Sequence, residues 1–224
     1  VTDAVPSSRT PAARVWWAVL ALVVAASVGT ELVRALADTG SDAGVLARVV
    51  RFLSWFTIQS NLLVLAAALP LVRDPEHDGR IWRVVRLDAL LGISVTGLVF
   101  AVVLAPTTHP QGLGWWTNAG THYVVPVVAV VGWLVFGPRP RVSGATIVAA
   151  LAWPLAWIAY TLAHGALTGW YPYGFLDAQA LGYGTALRNL GVVVALAVAF
   201  LLVVGVLDRR LPATGGERVP VPSR

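Results

Sequence analysis

Six apolar runs, each close to the length that crosses a bilayer, leave this chain little freedom of fold. They cover about residues 14–36, 48–72, 84–105, 117–136, 143–164 and 183–207, and roughly 20 helical residues cross the ~30 Å of hydrocarbon. Strands do not run to such lengths. The composition agrees, with 57% of residues hydrophobic and 12% charged, against roughly a quarter charged in a soluble domain. So much apolar surface cannot be hidden in one soluble core. The expectation is an all-α polytopic membrane protein, a bundle of six transmembrane helices spanning residues 14–207. Segments 1–13 and 208–224, with Pro6, Ser7, Ser8 and Pro11 at one end and Pro212, Gly215, Gly216, Pro220 and Pro222 at the other, are expected to be disordered. The first run follows Arg9 and Arg14 and carries Ala25, Ala26 and Ser27, as a signal peptide would. It continues through Leu32 and Leu36, which favours a retained helix.

A net charge of +5 could suggest nucleic acid, but all 16 basic residues are arginines, placed mostly in short connections between apolar runs. That pattern is a topology signal, because positive flanks stay on the cytoplasmic side. Arg9, Arg14, Arg73, Arg80, Arg83, Arg86, Arg139, Arg141, Arg209, Arg210, Arg218 and Arg224 fall on one side; Arg34, Arg48, Arg51 and Arg188 fall on the other. Both termini are therefore expected in the cytoplasm, with the stretches around 37–47, 106–116 and 165–182 outside. The absence of cysteine excludes disulfides, thiolate metal sites and cysteine nucleophiles. The absence of lysine and methionine, with Val1 first, points to a GC-rich bacterial gene with an alternative start codon.

Polar side chains are costly in hydrocarbon, so their positions carry information. Ser27, Glu31 and Arg34 lie toward the outer end of the first run, and Thr57, Ser60 and Asn61 in the outer half of the second. The fourth run offers Asn118, Thr121 and His122, the fifth Tyr160, Thr161 and His164, and the sixth Thr185, Arg188 and Asn189. Members of each set are three or four residues apart or adjacent to such a pair, so each set can share a face. Their common depth predicts a cavity open to the outer side. Asp88, near the cytoplasmic end of the third run, is expected to pair with Arg83 or Arg86. Pro126 frees the carbonyl of His122 and Pro154 that of Ala150, which predicts bends in the fourth and fifth helices.

Each of these residues also has a plainer role. Thr57 can bond its own helix, Asn61 and Asn118 can join helices, and His122 can be a packed histidine. Glu31 can be neutralised by Arg188 or Arg34. Trp115, Trp116, Trp170, Tyr171 and Tyr173 fit an interfacial aromatic belt.

Three segments carry a family resemblance: Phe56 to Leu62 (FTIQSNL), Thr121 to Pro126 (THYVVP) and Gly169 to Asp177 (GWYPYGFLD). They resemble the prokaryotic six-helix membrane family called Pr6Pr. Their order and spacing are also similar to the eukaryotic androgen-induced family of membrane hydrolases, which cleave fatty acid esters of hydroxy fatty acids. The resemblance spans roughly residues 15–207, with Gly174 where the pattern has proline. Similarity to the eukaryotic members implies a threonine nucleophile at Thr57 and a catalytic histidine at His122, with Asn118 matching an asparagine four residues before the histidine. Asn61, Asn118 and Arg188 are candidates for the oxyanion by type and depth, with Glu31 and His164 as further cavity groups. Both Thr57 and His122 lie roughly 9–14 Å below the outer surface at 1.5 Å per residue.

Three specific functions remain open at this level, beside that of a structural membrane partner, for which the sequence offers no specific docking surface. One is lipid ester hydrolysis with membrane lipids as partners, a lipid ester as substrate and no cofactor. Another is transport or binding of a small amphipathic molecule through Glu31, His122, His164 and Arg188. The last is a metal or haem site built on His109, His122 and His164 with Asp177 or Glu31, at spacings that match no known motif.

Overall fold

The computed structural model of the chain describes residues 9–38 and 44–214, and those residues form helices and connections with no strand. Helix α1 (Arg9–Ala37) is followed by the short α2 (Val45–Ser54) and by α3 (Phe56–Arg73). Helix α4 (Arg80–Val99) runs on through a π turn (Phe100–Leu104) and a 3-10 turn (Ala105–Thr107). Helix α5 (Leu113–Ala119), a second π turn (Gly120–Val124) and α6 (Val125–Phe136) form one rod. Helices α7 (Gly144–Ala150) and α8 (Ala152–Thr168) form another, before the single turn α9 (Ala178–Leu181) and the long α10 (Tyr183–Arg210). Six of these rods are long and apolar enough to cross a membrane: α1, α3, extended α4, α5–α6, α7–α8 and α10. The chain is a six-helix, multi-pass membrane protein. An even number of crossings returns the end of α10 to the face where α1 begins, called here the terminal face; the opposite one is the loop face.

The described parts of the two ends are built into the bundle. Residues 9–13 are helical, because Pro11 sits in the first turn of α1, where a missing N–H costs nothing. Helix α10 continues to Arg210, and Thr214 folds back so that its Oγ1 accepts the Arg139 N–H at 3.1 Å. Residues 1–8 and 215–224 of the expected disordered ends lie outside the described residues.

Packing centres on α3, which lies between α1 and α4. Leu20 and Val24 of α1, Val64 and Leu71 of α3, Ile93 of α4 and Val125 of α6 form the main core. Leu87, Leu91 and Val95 of α4 pack with Ala150 of α7 and Leu201 and Val204 of α10 in a second one. Leu22, Val102, Val148, Val192 and Leu202 point outward, which suits a surface that meets lipid. Gly97 permits close approach of α4 to α6, since a Cβ there would stand 2.9 Å from the Pro126 ring. The fifth span breaks where Pro154 removes the bond to Ala150: Leu151 turns tightly onto Val148, and α8 starts afresh.

The terminal face is tied by a polar knot around Gly137–Arg141. Buried Arg86 donates to the carbonyls of Gly137 and Pro138, and Arg139 to those of Trp133 and Leu134. Asp208 of α10, 1% exposed, accepts the backbone N–H groups of Arg141 and Val142, each at 2.7 Å. Asp78 bonds Arg83 and faces Arg141, and the Arg83 hydrogen bond holds its carboxyl down at about 2. The expected pairing of Asp88 therefore fails: Arg83 is committed to Asp78, Arg86 to two carbonyls, and the Asp88 Oδ1 is buried without a hydrogen-bond partner.

Asp208→Ala leaves two partly buried N–H groups without their charged acceptor, so it is expected to destabilise the bundle by about 1–3 kcal/mol. Asp208→Asn keeps an acceptor oxygen and loses less. Melting curves of the purified variants in one detergent rank the three proteins; equal melting of Asp208→Ala and wild type would remove the knot from the account of stability.

Candidate active site

The junction between α2 and α3 sets the position of Thr57. Trp55 is extended (φ −67°, ψ 123°), so α2 ends there and α3 begins at once, with Thr57 in its first turn. First-turn N–H groups have no partner within their own helix, and Trp55 supplies no side-chain cap. The phenol of Tyr173, from the connection after α8, takes that place by accepting the Thr57 N–H at 3.2 Å. Its Oη also lies 3.3 Å from Thr57 Oγ1. Burial pushes the Tyr173 phenol up, so it keeps its proton as a donor.

His122 stands in the π turn of the fourth span, where Val125 N–H reaches back five residues to the Gly120 carbonyl. Its Nε2 lies 3.2 Å from Thr57 Oγ1. Its Nδ1 lies 3.3 Å from the Asn118 carbonyl and 3.0 Å from Thr121 Oγ1. A carbonyl can only accept, and the Thr121 hydroxyl already donates to the Thr117 carbonyl at 2.9 Å. The proton therefore belongs on Nδ1, and Nε2 turns its lone pair to the Thr57 hydroxyl. Phe100, from the other π turn, stacks on the imidazole with centroids 4.0 Å apart. Gly120 lets α1 press against the turn: a Cβ there would fall 2.1 Å from Ser27 Oγ.

Thr57 lies between two spaces of different character. A cavity of about 990 Å³ at the loop face is lined by Glu31, Arg34, Arg48, Arg51, Asn118, His122 and Tyr173 among others. A crevice of about 80 Å³ lies among α4, α8 and α10, walled by apolar groups such as Val95, Trp157, Leu190 and Val193. Thr57, Phe100, Leu104 and Tyr173 border both.

The structure sorts the residues that shared depth had grouped. Thr57 and His122 meet, and Asn118 lines the cavity while its carbonyl orients the imidazole. Glu31 lines the same cavity and pairs with Arg34 at 2.6 Å, not with Arg188, and also accepts from Thr117. Asn61 is fully buried, and its Nδ2 donates to the carbonyls of Thr57 at 2.8 Å and Thr121 at 3.4 Å. It joins α3 to the π turn and lines neither space, which removes it as an oxyanion donor. Arg188 is exposed and lines neither space; it stands two residues, about 200° of helix, from the buried Ala186. His164 lies against Tyr160 and Trp170, outside both spaces. Tyr173, read from sequence as part of an aromatic belt, is instead buried against Thr57; its place in the Gly169–Asp177 segment was the available signal. Among the described residues no three His, Asp or Glu side chains gather as metal ligands.

No family model, curated protein or solved structure matches the chain.

Nitrogen NMR of histidine-labelled protein in mildly alkaline buffer is expected to find His122 with Nδ1 protonated and Nε2 bare, and Thr57→Val is expected to move the Nε2 signal. A proton on Nε2 would contradict the hydrogen-bond assignment.

Proposed function

We propose that this protein is a membrane-embedded lipid ester hydrolase in which Thr57 is the nucleophile and His122 the general base. The observation that carries the reading is the 3.2 Å approach of Thr57 Oγ1 to an imidazole nitrogen whose ring is already oriented through its other nitrogen. A threonine hydroxyl is a weak nucleophile until a base takes its proton. The resemblance to the eukaryotic androgen-induced hydrolases implies the same two residues. In this reading the bundle lies in a bacterial plasma membrane with its terminal face cytoplasmic, as the arginine distribution favours.

The reaction runs in two halves. Nε2 of His122 takes the hydroxyl proton as Thr57 Oγ1 attacks the ester carbonyl carbon, and the carbonyl oxygen becomes an oxyanion. The C–O bond to the alcohol breaks, the imidazolium returns its proton to the leaving oxygen, and an acyl-threonine remains. Water then loses a proton to Nε2 and attacks the acyl carbon; the acid departs and Thr57 recovers its proton. Tyr173 O–H, beside Oγ1, and the amide of Asn118, on the cavity wall, are the donors placed to serve the oxyanion. The ester straddles Thr57, with an acyl chain in the apolar crevice and polar atoms and water in the larger cavity.

Purified protein is expected to turn over lipid esters and to be labelled by a fluorophosphonate. Thr57→Ala abolishes both, and His122→Ala slows turnover by about 10²–10⁴-fold. Tyr173→Phe lowers kcat by about 10–10³-fold. Equal labelling of wild type and Thr57→Ala would refute the nucleophile, and uptake of an amphiphile that ignores Thr57→Ala would favour a transporter.

A further inference from the structure

Four arginines lie in the part of the sequence that leads to and from the loop face, Arg34, Arg48, Arg51 and Arg188, and three of them line the polar cavity. Two of the three come from α2, a helix divided between its faces. Leu46, Val50 and Leu53, spaced by four and three residues, are exposed (77%, 36% and 44%), whereas Arg48, Arg51 and Phe52 line the cavity. A short helix of this kind lies in the membrane interface with its apolar side in the acyl region. Its arginines, one turn apart, then stand at the mouth of the cavity.

Among the described residues these cations are incompletely paired. Arg34 is taken by Glu31 at 2.6 Å. Arg48 donates one N–H to the Asp38 carbonyl, and its Nε is buried with no hydrogen-bond partner among the described residues. Arg51 is held by the ring of Trp170, 5.5 Å from its guanidinium carbon. A ring face fixes the cation without consuming its in-plane N–H donors. Among the described residues lining the cavity, three arginines (34, 48, 51) face two carboxylates (Glu31, Asp38), an excess of one positive charge. A chain of aromatic contacts, of which Trp55 and Tyr173 line the cavity, joins this end to Thr57. Trp170 meets Trp55 at 6.0 Å, Trp55 meets Tyr173 at 5.0 Å, and the Tyr173 hydroxyl touches Thr57.

We propose that Arg48 and Arg51 form an anion-binding subsite for the carboxylate or phosphate of an amphiphile whose chain reaches past Trp55 and Tyr173 toward Thr57 and the apolar crevice. The guanidinium fork matches both oxyacids, and the interfacial position of α2 puts it at the height where such groups sit. The subsite rests on the hydrolase reading only for where the reacting bond lies; binding itself requires no turnover.

Binding is therefore measured on Thr57→Ala protein in zwitterionic nanodiscs, with three probes of equal chain length: a fluorescent fatty acid, its methyl ester and an alkyl phosphate. One or both anionic probes are expected to bind about tenfold or more tightly than the ester. Arg48→Gln with Arg51→Gln, at an unchanged melting temperature, is expected to erase that preference; Arg51→Lys, which keeps the charge on a stable protein, retains part of it. The tighter of the two anions identifies the carboxylate or the phosphate as the natural group. Equal affinity for acid and ester, or a preference that survives the double substitution, overturns the subsite. Loss of ester turnover in the wild type with the preference intact would sink the hydrolase reading and leave the subsite standing.

Discussion

Hydrocarbon offers no partner to a polar atom, and the interior of this bundle is organised by that constraint. Most polar side chains in the spans are consumed at once. Ser60 bonds the Phe56 carbonyl, Thr121 that of Thr117, and Asn61 those of Thr57 and Thr121. Arg86 is absorbed by the carbonyls of the Gly137–Pro138 connection. His122 follows the rule with one nitrogen and departs from it with the other: Nδ1 is spent on Asn118 and Thr121, so the lone pair of Nε2 is left for the Thr57 hydroxyl. Thr57 and His122 thus meet through the one imidazole nitrogen that the surrounding hydrogen bonds leave without a proton.

The two π turns give this pair its geometry. Each widens a helix by one residue, as the bonds from Val125 N–H to the Gly120 carbonyl and from Ala105 N–H to the Phe100 carbonyl record. An extra residue turns the side chains beyond it by about 100° relative to an uninterrupted α-helix. Phe100 and His122 come from these two turns and stack on each other. Gly120 and Ser27 bring α1 against the same place, so the imidazole is fixed by packing on one side and by hydrogen bonds on the other.

Depth was legible in the sequence, and azimuth was not. Six apolar runs of spanning length leave one architecture, and residue counts from the run ends placed Thr57 and His122 at one level. Which way each side chain faces depends on helix phase and on neighbours that no single run contains. Hence Arg188 and His164, at a plausible depth, lie outside both spaces, and Asn61 faces inward only to join two rods. Tyr173 was hidden for a different reason: it lies in a connection, where aromatic residues at a membrane surface have a ready alternative explanation. The knot around Gly137–Arg141 escaped because its acceptors are mostly backbone carbonyls, which leave no mark in composition.

An enzyme acting on a lipid ester must bring water and an alkyl chain to the same carbon, and these occupy different phases. In the proposed reaction the division is built into the walls around Thr57, with charged and amide groups on one side and valine, leucine and tryptophan on the other. Thr57 also occupies the first turn of an 18-residue helix, where the positive end of the helix dipole favours charge building on its oxygen. That effect is small in water and larger where solvent is excluded, and Thr57 is only 7% exposed. The position that makes the backbone N–H groups of α3 need an outside partner is therefore the position that best stabilises a developing alkoxide, and Tyr173 stands where both needs meet.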